Sequence, residues 1–187
     1  MMNTRRFLLI LATALTPLSL TAQEIQKGIE GQKAPLINIS TWYQLPEGKE
    51  KLEITDYEGK IIVMLFFQYW CEASQKRELP VLKTLVEKYK GNDEIVFLAI
   101  QTAFEGFLDN TPEKLKITAD KFGLKIPFGH NIKAPEFPGI SGAYQPKGTP
   151  WWVIIDREGI VEYNGSVLNE EEAIKGFDKM LAGLPVE

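Results

Sequence analysis

Cysteine and histidine are the scarcest chemistry-bearing residues in this sequence, with one of each, Cys71 and His130, in 187 residues. A single cysteine excludes an internal disulfide, and with only one histidine beside it no recognisable structural zinc cluster can be assembled. Glycine-rich phosphate loops, metal-ligand motifs and the hydrolase nucleophile elbow are all missing. Internal repeats and low-complexity stretches are missing as well. Positive charge is not in excess: Lys and Arg number 21 against 25 Asp and Glu, a formal net charge of −4. That balance argues against broad binding to nucleic acid or anionic membranes. No metal and no other cofactor is expected. Beyond the N-terminus, no apolar run reaches the ~20 residues of a spanning helix.

The N-terminus is of another kind. Residues 1–22 read MMNTRRFLLILATALTPLSLTA. Arg5 and Arg6 make a basic start, an apolar core follows, and small residues close the segment around Pro17. This is the pattern of a secretory signal peptide, with a core too short for an ordinary membrane span. Cleavage after Ala22 predicts an exported, periplasmic or otherwise extracytoplasmic protein with no transmembrane segment. Residues 23–187 then suffice for one domain with one sizeable core. The prefix holds two basic residues and no acid, so its removal makes the remainder more acidic.

Three apolar runs organise that domain: IIVMLFF at 61–67, EIVFLAI at 94–100 and WWVIID at 151–156. Their continuity suits strands buried on both faces. Residues 72–90 carry Leu79, Leu82, Leu85, Val86 and Tyr89 at helical spacing, with Pro80 expected to kink the helix. Residues 111–123 predict a second helix and 169–181 a third. Residues 36–40 predict a short first strand and 41–50 a loop. Residues 160–164 predict a hairpin partner for the third run. Residues 128–145, rich in Gly and Pro and without a period, predict a surface loop. Trp151 and Trp152 are expected to alternate, one inward and one outward. The order predicts an α/β protein with a central mixed sheet flanked by helices.

Cys71 lies just past the first apolar run and just before a helix. A thiolate there gains from unpaired helix N–H groups and the macrodipole. The residues alone leave two readings open, a reactive thiol or a buried, inert one. Ser74 stands three positions on, where a dithiol site holds its resolving cysteine. It can donate a hydrogen bond to a thiolate or merely cap the helix. Thr149–Pro150, directly before WWVIID, places a proline at a strand start. His130 and Glu105 are weaker candidates for proton transfer, with a structural loop histidine and a solvated acid as their plainer readings.

The segment FFQYWCEASQKRELPVL resembles the active-site segment of thioredoxin-like proteins, nearest to the TlpA-like or redoxin branch (AhpC/TSA superfamily) of exported thiol–disulfide oxidoreductases. Trp70, Cys71, Arg77, Glu78 and Pro80 broadly match its pattern. GTPWWVIIDREGIVEYNG resembles the second signature, a cis-proline loop followed by a terminal hairpin. The resemblance covers roughly residues 31–181 and implies a thioredoxin-like fold. It further implies that Cys71 is the attacking cysteine, and that Thr149 and Pro150 contact substrate backbone. Trp70 would flank the thiol. The departure is Ser74, which makes the motif CxxS and removes the internal resolver. Glu72 beside the thiol is expected to raise its pKa. The resulting expectation is a monothiol oxidoreductase acting on protein or small-molecule thiols and disulfides, resolved by an external reductant thiol. The alternatives are a redox-inactive peptide-binding module and a single-cysteine thiol peroxidase.

Overall fold

The computed structural model describes residues 28–185, except 40, 104 and 133–138. Residues 1–22, read above as a signal peptide, lie outside the described residues. β2 (Ile61–Phe67) is buried at every position, as its unbroken apolar run requires. It pairs in parallel with β3 (Ile95–Ala103) and antiparallel with β5 (Trp151–Ile155). Outside these lie β4 (Phe128–Ile132), parallel to β3, and β6 (Val161–Gly165), antiparallel to β5. With β1 (Thr41–Tyr43) antiparallel to β4, the strand order is β1-β4-β3-β2-β5-β6. The sheet is mixed, as the sequence predicts.

Alternation along the strands divides the core between two faces. Ile61, Val63, Leu65 and Phe67 face α1 (Leu79–Lys88), α2 (Glu113–Phe122) and α4 (Glu170–Leu181). Ile62, Met64 and Phe66 face the N-terminal segment through Ile37 and Ile39, a 3-10 turn (Ile54–Tyr57) and α3 (Gly139–Tyr144) through Tyr144. Helical elements therefore flank both faces. α4 begins with the Asn169 side chain accepting the Glu172 N–H at 3.1 Å, and Glu170, Glu171 and Glu172 complement the dipole.

Several expectations are corrected. Residues 36–39 form no strand; Ile37 and Ile39 are buried as pegs in the core, and the first strand is Thr41–Tyr43. Residues 128–145 are not one loop, because β4 and α3 both lie within them. The glycine at 129 signals close packing rather than a turn: a Cβ there would sit 2.9 Å from Ile39 Cδ1. Trp151 and Trp152 do point to opposite faces, but both are buried, since this strand is covered on each side. The helix at Pro80 adapts through a π turn (Ser74–Glu78), in which the Leu79 N–H reaches back to the Ser74 carbonyl. Among the described residues, no helix is long and apolar enough to cross a membrane.

Candidate functional site

The C-terminal end of β2 and the N-terminal end of β5 meet because Phe66 pairs with Trp151 in an antiparallel ladder. Continuing that register by two residues sets Gln68 opposite Thr149. The chain then turns, with the Cys71 N–H donating to the Gln68 carbonyl at 3.1 Å, and enters the helix as the Gln75 N–H donates to the Cys71 carbonyl at 3.0 Å. Cys71 is thus held at a strand–helix junction, and the residue is 8% exposed. Its S–H donates to the Thr149 carbonyl at 3.3 Å. The Thr149–Pro150 bond is cis.

Burial pushes the Cys71 thiol up, but the donors around the sulfur outweigh it and hold its pKa below the ordinary thiol value. Those donors are the Ser74 hydroxyl and N–H and the Ala73 N–H; the Thr149 hydroxyl also lies beside the sulfur, but its hydrogen goes to Gln68 Oε1 at 2.9 Å. The Ser74 side chain is fully buried, and its hydroxyl has no hydrogen-bond partner among the described residues. The Cys71 sulfur, once ionised, can serve as its acceptor. Glu72, expected to oppose ionisation, is largely exposed and pairs instead with Lys76.

Trp70 flanks the thiol and is 47% exposed. It lies over Gly106, where a Cβ would come 2.6 Å from the indole nitrogen and where φ is +58°. Asn110 fastens this loop to the site. Its Oδ1 accepts the Tyr69 N–H at 2.7 Å, and its Nδ2 donates to the Glu105 and Gly106 carbonyls at 3.2 Å. Glu105 therefore takes part through its carbonyl, which also accepts from Gln68 Nε2 at 3.3 Å; the residue itself is exposed.

His130 is in β4, opposite Gln101 in the ladder and buried. Its Nδ1 lies 3.1 Å from Gln101 Nε2, while its Nε2 has no partner among the described residues. Burial draws its pKa below the usual imidazole value, with the charge of Glu113 opposing. Its polar contact is with Gln101, not with the groups around the sulfur.

Cys71, Ser74, Trp70, Thr149 and Pro150 thus gather in one place. Gln68, Asn110 and Gly106 complete it, and the sequence reading gave them no role. A polar residue directly after a seven-residue apolar run was the available signal for Gln68. Glu78, noted only as part of a motif, is buried, accepting from Trp152 Nε1 at 2.7 Å and pairing with Arg77 at 2.6 Å. A groove of about 670 Å³ between β6 and α4 includes none of these thiol-site residues. Among the described residues no group of three or more His, Cys, Asp or Glu could hold a metal.

No protein-family model matches the chain. It is 25% identical over 133 residues to the thioredoxin-like protein YneN of Bacillus subtilis (strain 168), covering 71% of this chain and 69% of that protein. It is 28% identical over 138 residues to the thiol-disulfide oxidoreductase ResA of Bacillus anthracis, covering 72% and 70%. The crystal structure of the thioredoxin-like superfamily protein SPOA0173 superposes with a TM-score of 0.71 at 27% identity, covering 83% of this chain and 99% of that one.

Proposed function

We propose that this chain, which has the thioredoxin-like fold, is related to thiol–disulfide oxidoreductases and carries one cysteine, works as a monothiol oxidoreductase. The Cys71 proton leaves to solvent and the thiolate attacks one sulfur of a partner disulfide. A new S–S bond forms, the old one breaks, and the second partner sulfur departs as thiolate. Ser74 cannot perform the next displacement. An external thiolate therefore attacks the partner sulfur of the mixed disulfide, forming a new S–S bond with it and releasing Cys71 as thiolate. In this reading Trp70, Thr149 and Pro150 receive the substrate, and the partners are protein or small-molecule thiols and disulfides. Glu105 and His130 are given no proton to carry. Export of the protein belongs to the same proposal and rests on the pattern of residues 1–22.

The observation that carries this reading is the ring of donors on one sulfur. A structural cysteine needs no buried hydroxyl and main-chain N–H groups beside it. The test is to expose the folded protein to a disulfide reagent at neutral pH. Stoichiometric mixed disulfide, lost in Cys71→Ser and reversed by added thiol, is expected. Modification only after unfolding would overturn it.

The slight exposure of Cys71, 8%, favours a second reading, a binding module in which the cleft holds a peptide without exchange. Retention of a cysteine-containing peptide by Cys71→Ser as tightly as by the unaltered protein, with no covalent adduct in the latter, would select it.

A further inference from the structure

Gln68 is 1% exposed, more deeply buried than the thiol itself, and its polar contacts all go to the site. Its main-chain carbonyl accepts the Cys71 N–H at 3.1 Å. Its Oε1 accepts the Thr149 hydroxyl at 2.9 Å, and its Nε2 donates to the Glu105 carbonyl at 3.3 Å. The amide can face only one way. Turned over, its oxygen would meet the Glu105 carbonyl, acceptor against acceptor. With Nε2 committed to that carbonyl, Oε1 is left to Thr149 and takes the hydroxyl hydrogen.

A hydroxyl has one hydrogen to give. Thr149 also borders the sulfur, since its own carbonyl takes the Cys71 S–H at 3.3 Å. The hydroxyl thus stands between two acceptors, the Gln68 amide and the sulfur once it is ionised. Gln68 is fixed at the amide's other end, so it cannot withdraw without breaking its bond to Glu105.

We propose that Gln68 is a positioning residue that regulates the Cys71 thiol by retaining the Thr149 hydroxyl hydrogen that would otherwise turn to the sulfur. Ser74 and the helix N–H groups then supply the stabilisation of the thiolate. The site is restrained by one residue before the turn and promoted by residues after it. This deepens the monothiol reading and rests on it for its purpose, although the hydrogen-bond competition can be measured independently.

The experiment is a pH titration of thiolate ultraviolet absorbance in the folded protein, with Cys71→Ser as the blank. The variants are Gln68→Met, Thr149→Val and the two combined, with Met filling the glutamine's volume. Gln68→Met should lower the midpoint by about one pH unit, a roughly tenfold gain in thiolate below it. Thr149→Val alone should move it little, because its hydroxyl is already committed. The double variant should return to the midpoint of Thr149→Val. A purely structural glutamine would not show that dependence on the Thr149 hydroxyl. An unchanged or raised midpoint in Gln68→Met overturns the proposal, as does an equal fall in the double variant. Should Gln68→Met not fold, a large rise in Thr149→Val overturns it, and near-constancy supports it. A disulfide reagent applied to the same samples separates the two ideas: no mixed disulfide, with midpoints moving as stated, defeats the monothiol reading and leaves the Gln68 assignment standing.

Discussion

Trp152 donates its indole N–H to Glu78 across 2.7 Å, joining the helix that follows the thiol to the strand that follows Pro150. Both residues are buried, and Arg77 supplies the carboxylate with a second donor at 2.6 Å. Glu78→Ala removes the acceptor, strands a buried N–H and opens a gap. We expect a loss of about 2–4 kcal/mol in denaturant unfolding. Glu78→Gln, which keeps an oxygen for the indole, should cost less than half as much. Equal losses would mean that the bond to Trp152 is not what Glu78 contributes.

Ser74 has a buried hydroxyl with no partner among the described residues. Ser74→Ala should therefore raise the Cys71 midpoint while leaving stability within about 0.5 kcal/mol. The same position tests the missing resolver. Ser74→Cys restores two thiols at the spacing of a dithiol site, and insulin reduction should climb above the background shown by the unaltered chain. A lower or unmoved midpoint in Ser74→Ala would remove the hydroxyl from the account of the thiolate.

His130 should make the fold sensitive to acid. Its pKa in the folded protein lies below the ordinary value because it is buried, although Glu113 acts the other way. The unfolded chain therefore takes up the proton first as the pH falls. The stabilisation is complete above about pH 6.5 and is lost as the pH drops toward and through the folded-state value. Urea midpoints measured on either side of that pH should differ more for the unaltered protein than for His130→Asn. Parallel profiles would show that this imidazole contributes nothing to the pH dependence.

Gly106 holds Trp70 in place by having no side chain. Gly106→Ala brings a methyl into the indole and forces a positive φ on alanine. The expected result is about 1–3 kcal/mol of lost stability, together with a changed exposure of Trp70 to a fluorescence quencher. Unaltered quenching and stability would mean that the loop can shift away from the ring.

Much of this was legible in the sequence, and the reasons are particular. β2, β3 and β5 announced themselves because strands covered on both faces need no polar alternation, and their runs stand out. Cys71 and the Thr149–Pro150 pair stood out through the family resemblance, whose two segments fit in order and spacing. β1 and β4 were not, since both depend on partners distant in sequence, and Gly129 looks like a turn residue until Ile39 is seen against it. Gln68 escaped for a similar reason. Its importance comes from Thr149 and Glu105, which are remote from it along the chain. Helical periodicity likewise gave the buried stripe of Leu79, Leu82 and Leu85 without revealing how the helix reaches it from Cys71.

That route runs through the π turn at Ser74–Glu78. One extra residue in the turn means that the part of the helix carrying the thiol and the part facing the sheet keep separate counts. Residue-by-residue alignment with a relative whose helix is uninterrupted needs a gap inside this segment, or every correspondence on one side of it falls one place out. Deleting a single residue there should restore an ordinary helix while leaving Cys71 beside Thr149 and the stripe of Leu79, Leu82 and Leu85 against the sheet.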